Sequence, residues 1–194
     1  MLTQAIAFVV EAIFDLFILS ALVRFWMQVL RAPARNPLAQ FTMALTDFAV
    51  KPLRRVLPGF FNLDLASLAV AWGAEVVLLA ILSLLQGVEL VSGTAISVLM
   101  FLALVKLFRL TVYIVMGAVL LQALLSWVNP YHPVAPFFEA LTRPFLKPFQ
   151  KAIPPIGGVD ITPVLVLIAC QLVLMLPVAW LENESLRMMA RYAL

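Results

Sequence analysis

The stretch KPLRRVLPGFFNLDLASL at residues 51–68 has a partner 96 residues later, KPFQKAIPPIGGVDITPV at residues 147–164. Extended upstream without a gap, residues 36–68 align with residues 132–164, with ten identities in 33 positions. Several identities are Pro, Lys or Asp, so shared hydrophobicity does not explain them. In the first copy they are Pro37, Ala39, Phe41, Ala44, Leu45, Thr46, Lys51, Pro52, Pro58 and Asp64. The chain therefore contains a tandem duplication.

The composition is that of a membrane protein. Of the 194 residues, 64% are hydrophobic and 12% are charged, and the mean hydropathy is +1.08, whereas a soluble domain is about half apolar and a quarter charged. A spanning helix needs about 20 mostly apolar residues. Four blocks meet this requirement, at residues 3–29, 65–85, 108–128 and 164–181. A fifth apolar piece, residues 94–105, is too short to span and is predicted to extend the third helix or to lie at the interface.

The blocks and the duplication predict an all-α membrane protein with four transmembrane helices. They form two parallel helix-connector-helix repeats, at residues 1–92 and 93–194, with interfacial amphipathic helices in the connectors. An even number of spans per repeat places both connectors on one side of the membrane. Nine of the 13 Lys and Arg residues lie between residues 24 and 55 or between 143 and 151. This bias predicts cytoplasmic connectors and both termini outside.

Two finer predictions concern the helices themselves. The motif ALVRF at Ala21 is predicted to be equivalent to ALLSW at Ala123, which requires six extra residues in the first connector. The tail after residue 181 is predicted to be a short amphipathic piece on the outer face.

Each connector combines apolar residues at helical intervals with Lys and Arg, which is typical of a helix lying in the interface. Pro52 and Pro148 are expected to break this helix, so two short helices are predicted per connector. The basic residues would lie at headgroup level, where each can attract anionic lipid by about 1 kcal/mol. One interpretation is that these basic residues only fix the topology. The other is that they bind anionic headgroups, a membrane-protein partner or a second copy of the chain. The residues concerned are Lys51, Arg54, Arg55, Arg143, Lys147 and Lys151.

Two aspartates recur where each connector meets the next span. Asp64 precedes LASL and Asp160 precedes ITPV, positions where an N-cap acceptor is wanted. Helix capping is one interpretation. The other is a cation or partner site made by two symmetry-related carboxylates at the cytoplasmic mouth of the bundle.

Charged residues also occur inside the predicted spans, where each carries a cost of about 2.5 to 3.5 kcal/mol and so needs a reason. Asp15 and Glu75 both fall near mid-membrane, and the repeat counterpart of Glu75 is Gln171. One hypothesis is that these three residues line a path for protons or cations.

The competing hypothesis is structural pairing of the same charges. Glu11 shares a helix face with Asp15, and Lys106 shares a face with Arg109. Depth and sign predict that Glu11 pairs with Lys106 or Arg109.

No enzyme motif is found in the sequence, so no catalytic residue and no cofactor are predicted. The single histidine, His132, has no cysteine or second histidine to complete a metal set, and Cys170 lies alone in an apolar run. The positive charges do not gather on one soluble face, so direct binding of nucleic acid is not expected.

At the duplicated connectors the sequence resembles the YggT/YlmG family of bacterial integral membrane proteins. The resemblance lies in NPLAQF, the two quoted stretches, and the motifs LVRFWMQ and LLSWV that close the preceding helices. The first copy has PGFFNLD without the paired glycines of the second copy, so its turn is expected to differ. The resemblance implies a two-copy protein of the bacterial plasma membrane, linked in general terms to envelope or osmotic stress and, in photosynthetic lineages, to division.

Two functions are therefore carried forward from the sequence. The first is a non-enzymatic scaffold or assembly role in the envelope, exercised through the basic connectors. The second is a small ion channel or transporter that uses Asp15 and Glu75.

Overall fold

The computed structural model describes residues 1–57, 59, 63–87, 93–129, 131–153 and 160–192, with side chains up to residue 189. Its helices are α1 (Leu2–Val29), α2 (Pro37–Val56), α3 (Leu65–Leu85), α4 (Gly93–Val128), α5 (Ala135–Ala152), α6 (Thr162–Val173) and α7 (Ala179–Tyr192), with a π turn (Leu174–Val178) joining α6 to α7. Four segments are long and apolar enough to span a membrane: α1, α3, α4 and residues 162–189. The prediction of four spans in two helix-connector-helix repeats is confirmed.

The two repeats share an apolar core. Ile18 and Leu22 of α1 pack with Leu78 of α3 and Leu107 of α4, all at most 4% exposed. A second cluster contains Ala39 of α2 and Phe137 of α5, together with Met27 of α1 and Ala118 of α4. Both connector helices therefore pack into one cluster that they share with the spans.

In the described residues each connector holds one continuous helix across its Lys-Pro step, so the prediction that the proline divides it into two short helices was wrong. Pro52 lies inside α2, and Pro144 and Pro148 lie inside α5. A proline removes one helical hydrogen bond, but Pro52 and Pro148 are exposed, and the carbonyl four residues earlier can find another donor in water or headgroups. The backbone therefore stays helical. The junction stretches PGFFNLD and PPIGGVD fall mostly outside the described residues.

The turn from α1 into α2 is set by local capping. Arg31 adopts φ 52°, the Arg31 amide donates to the Gln28 carbonyl, and the Ala32 amide donates to the Met27 carbonyl. This is a Schellman ending. Asn36 then caps α2 by accepting from the Ala39 amide at 2.9 Å, with Pro37 at the first helical position.

Residues 94–105 belong to α4, one of the two alternatives that the sequence left open. With 36 residues, α4 is about 54 Å long at 1.5 Å per residue, whereas the hydrocarbon core is about 30 Å thick. The helix therefore tilts or extends beyond the core. Its first half packs against α3 and α7, since Leu79 contacts Leu99 and Leu102, with Met189 beside them.

The tail continues the fourth span instead of forming a separate piece. The amide nitrogen of Pro177 carries no hydrogen, which removes one helical bond, and the chain adopts a π turn around this proline. α7 then runs on to Tyr192 alongside α4.

Candidate functional site

α2 is fastened to α1 by a buried arginine. Arg24 is 6% exposed, and its Nη1 donates to Thr46 Oγ1 at 2.9 Å and to Asp47 Oδ1 at 2.8 Å. The other Asp47 oxygen lies 2.6 Å from Nζ of Lys51. The hydrogen bond from Lys51 has the largest influence on the pKa of Asp47 and lowers it. Partial burial acts in the opposite direction, but the contacts with Arg24 also lower the pKa, which therefore lies below its ordinary value. A charged network therefore attaches the middle of α2 to α1.

In the second connector, the equivalent threonine is attached to α4 by a hydrogen bond between two uncharged side chains. Thr142, which is fully buried like Thr46, is hydrogen-bonded to Oε1 of Gln122 on α4. Gln122 thus takes the place of Arg24, at a separation of 98 residues. The predicted equivalence of Ala21 with Ala123 implies a separation of 102 and places Ser126 there, so that alignment of the spans was wrong by about one helical turn.

The far end of α2 is fastened to the start of α3 by Asp64. This carboxylate is 2% exposed and accepts from the Ser67 amide at 3.3 Å, from the Ser67 hydroxyl, and from Arg54. Burial acts to raise the pKa of Asp64, but the hydrogen bonds from Arg54 and Ser67 outweigh it and lower the pKa. Arg54 also donates to Gln28 of α1 at 3.2 Å, so one guanidinium links three helices.

Asp160 occupies the equivalent position before α6. Its Oδ1 accepts from the Thr162 amide at 2.9 Å, and its Oδ2 accepts from Nε2 of Gln150 at 3.0 Å. Burial opposes the effect, but the bonds from Thr162 and Gln150 lower the pKa of Asp160. Gln150 is the repeat counterpart of Arg54, so a neutral amide again replaces an arginine. We call the threonine and aspartate attachments of each connector its two clasps.

The clasps leave most of the predicted basic surface exposed, although Lys51 is itself ion-paired with Asp47. Lys51, Arg55, Arg143, Lys147 and Lys151 are exposed, whereas Arg54 is engaged by Asp64. On each connector two cations lie one helical turn apart on the same face, Lys51 with Arg55 and Lys147 with Lys151. The connectors therefore present repeated cationic pairs on helices that are fixed to the bundle.

A second group of charges lies among the spans. Glu75 of α3 is 5% exposed, and its Oε1 lies 3.8 Å from Nζ of Lys106 on α4. On α7, the two carboxylate oxygens of Glu182 accept hydrogen bonds from Nη1 of Arg109, at 3.0 and 3.1 Å. Asp15 borders the same cavity of about 510 Å³ as Glu75, Lys106 and Arg109.

The predicted partners of this group are partly corrected. Asp15 and Glu75 are brought together, but Gln171 lies on an exposed part of α6 and does not border this cavity. The pairing of Glu11 with Lys106 or Arg109 was wrong. Glu11 is exposed, and those two cations are taken by Glu75 and Glu182.

Some of the residues that build the clasps were missed as a site. Arg24 was counted only as a topology signal, although a charge inside an apolar helix is a reason to look for a partner. Thr46 and Thr142 are identical across the repeats, which is the signal that could have marked them.

No metal site emerges in the part of the chain that the structure describes. Within the described ranges no three His, Cys, Asp or Glu side chains gather as a metal set. Asp64 is already saturated by Arg54 and Ser67, which leaves little room for a cation there. His132 accepts locally from the Val134 amide at 3.4 Å.

Comparison with known proteins places this geometry in context. Two segments of the chain, residues 3–85 and 101–181, match the model of the CCB3/YggT family. An uncharacterized protein of Pseudomonas aeruginosa is 34% identical over 90% of this chain and 89% of its own length. One of Vibrio alginolyticus is 32% identical over 87% and 90%. The uncharacterized protein YggT of Escherichia coli is 28% identical over 85% of each chain. No solved structure matches.

Proposed function

The chain belongs to the CCB3/YggT family, and we propose that it is a non-enzymatic multi-pass protein of the bacterial inner membrane whose connectors bind anionic lipid headgroups. The rigid mounting of the exposed cations supports this proposal. Each connector helix is held near its middle and near its C-terminal end by the two clasps. Lys51, Arg55, Arg143, Lys147 and Lys151 remain exposed. Cations that are already positioned lose less conformational entropy when they bind a phosphate.

The charge distribution supports a cytoplasmic location for this surface. Eight of the 13 Lys and Arg residues belong to α2, α5 or the chain just before α2, and a ninth, Arg24, lies in the last part of α1. Positive loops stay in the cytoplasm. The cytoplasmic leaflet carries the anionic lipids, and each nearby cation contributes about 1 kcal/mol of attraction. Both termini then lie outside.

A scaffold role follows from this arrangement. A bundle that holds two connector helices against anionic headgroups offers a fixed, charged platform to another membrane protein or to a second copy of the chain. Assembly of an envelope complex, or maintenance of the envelope under osmotic stress, would use such a platform without any chemical step.

Neutralising the exposed cations tests the proposal. We expect that changing Lys51, Arg55, Arg143, Lys147 and Lys151 to Gln weakens retention of phosphatidylglycerol by roughly tenfold or more, because five attractions of about 1 kcal/mol are removed. Native mass spectrometry of the detergent-purified protein, titrated with phosphatidylglycerol or phosphatidylcholine, measures this. Arg187→Gln removes an exposed cation of α7 and serves as the single-site comparison for Lys147→Gln. Equal retention by a folded five-site variant would rule out the connectors as the binding surface.

The second candidate function is a path for protons or cations. It is favoured by one observation, that Asp15 and Glu75 border one cavity of about 510 Å³. Against it, Glu75 is already paired with Lys106, and a fixed cation beside the path repels a permeating one.

Flux measurements separate the two candidates. If the cavity conducts, proteoliposomes should show cation or proton flux that the double variant Asp15→Asn, Glu75→Gln abolishes. Our proposal predicts no flux above that of empty liposomes under K⁺, Na⁺ and proton gradients. A flux that depends on these two carboxylates would replace the scaffold with a channel.

A further inference from the structure

Each repeat contains an apolar groove beneath its connector helix. Groove 1, formed by α1, α2 and α3, has a volume of about 650 Å³. Groove 2, formed mainly by α4, α5 and α6, has a volume of about 580 Å³. Both volumes lie within the range of roughly 300 to 1,000 Å³ that is typical of small-molecule sites.

The two grooves are the same site in duplicate. α3 lines groove 1 with Val70, Gly73, Ala74 and Val77, and α6 lines groove 2 at the four positions 96 residues later. The connectors repeat at the same spacing, from Phe48 to Pro144. The groove residues on the first spans of the two repeats correspond at a spacing of 98 residues, the same spacing that relates Arg24 to Gln122. Nine of the 11 residues of groove 1 have a counterpart in groove 2, so the groove is part of the repeated unit.

The grooves run from the connector into the bundle. Val70 and Val77 lie five and 12 residues beyond the start of α3, which is about 8 and 18 Å at helical rise. A Cβ added to Gly73 would meet nothing within 4 Å, so this wall of groove 1 borders open space. A hydrocarbon chain that enters beneath the connector helix would therefore point toward the middle of the membrane.

A cationic pair flanks each groove on the connector. In groove 1, Lys51 and Arg55 stand on the side of α2 next to Phe48, which lines the groove. In groove 2, Lys147 and Lys151 stand beside Pro144 and Pro148, which line it. Positive charge and an apolar groove are thus adjacent in both copies, and this combination matches an anionic headgroup and an acyl chain.

We propose that each repeat binds one anionic phospholipid, with an acyl chain in the groove and the phosphate on the cationic pair of the connector. This inference rests on the proposed function and names its two binding sites. An acyl chain gains no hydrophobic free energy by leaving the bilayer for the groove, since lipid tails are equally apolar. The headgroup therefore decides which lipid binds, and anionic lipid is preferred over zwitterionic lipid.

The two sites differ in charge. In the first repeat, Asp47 is bonded to Lys51 and neutralises part of that site. The counterpart of Asp47 is Arg143, and in the described part of the chain no ion pair joins Arg143, Lys147 or Lys151 to an acid. The second site therefore binds the more tightly of the two.

Filling each groove separately tests the proposal. Gly73→Leu occupies groove 1, and Ala169→Leu occupies the equivalent position of groove 2. Gly117→Leu adds the same side chain to a part of α4 that lines neither groove, where a Cβ also meets nothing within 4 Å. Native mass spectrometry with phosphatidylglycerol should find two tightly retained lipids in the wild type and in Gly117→Leu, and one in each groove variant. Lys147→Gln with Lys151→Gln should weaken retention more than Lys51→Gln with Arg55→Gln.

A second measurement covers variants that fail to fold. Phosphatidylglycerol with a photoreactive group in its acyl chain should crosslink to wild-type peptides that contain residues 70–77 and 166–173. Full retention in folded groove variants, with retention lost only in the five-site charge variant, would overturn the groove sites and leave the proposed function standing. Retention that neither set of variants alters would overturn both, and equal retention of phosphatidylcholine would overturn the charge preference.

Discussion

Replacing Lys106 with methionine should lower the free energy of unfolding by about 2 to 3 kcal/mol. The change leaves Glu75, which is 5% exposed, without the cation that lies 3.8 Å away. Removing one partner of a buried ion pair typically costs about 3 to 5 kcal/mol. The expected loss is smaller here because the Lys106 side chain is 37% exposed.

A second substitution, at Glu75, tests whether loss of the ion pair causes the expected destabilisation. Glu75→Gln in the Lys106→Met background should restore most of the lost stability, because the pair is then removed from both sides. Thermal unfolding in detergent, followed by circular dichroism, measures the single and double variants. If Lys106→Met is as stable as the wild type, or if Glu75→Gln does not rescue it, the pair does not hold α3 to α4.

Replacing Asp64 with alanine should lower the free energy of unfolding by about 2 kcal/mol. Loss of an N-cap side chain costs about 1 kcal/mol, and loss of a hydrogen bond to a charged group costs about 1.5 to 3 kcal/mol. The second effect is reduced because Arg54 is 42% exposed. Asp160→Ala is the matched control and should cost about half as much, since Asp160 is exposed and its connector partner is the neutral Gln150.

Acid should weaken the same clasp. The folded pKa of Asp64 lies below its ordinary value of 3.8, so its stabilisation is complete above pH 3.8 and is lost as the pH falls through the folded pKa. The difference in stability between the wild type and Asp64→Ala should therefore shrink below pH 3.8. A difference that is constant from pH 7 to pH 3 would contradict a charged clasp.

The fold was largely predictable because the sequence contains the same helix-connector-helix pattern twice. Four apolar blocks fix the spans, and Pro, Lys and Asp repeated 96 residues apart fix the connectors between them. Local backbone detail was less accessible. A proline normally breaks a helix, yet α2 continues through Pro52, which lies on an exposed face. Which face of α2 is exposed depends on how α2 packs on α1.

The charged contacts were the least predictable part. Sequence gives the depth of Glu11, Glu75 and Lys106 along their helices, but the rotation of one helix against another decides which of them meet. The threonine clasps depend on the same rotation. Arg24 and Gln122 share a role without sharing a residue type, so only the packed helices reveal their equivalence.

The orientation of the two connectors tests the central claim most directly, because parallel repeats place both connectors on the same side of the membrane and the proposed function requires that side to be the cytoplasm. Single cysteines at the exposed positions Gln40, Glu139 and Thr3, in a Cys170→Ala background, can be labelled with a membrane-impermeant maleimide in intact and in permeabilised cells. We predict that Thr3→Cys reacts in intact cells, and that Gln40→Cys and Glu139→Cys react only after permeabilisation. Reaction of either connector cysteine in intact cells, at the rate of Thr3→Cys, would contradict the account.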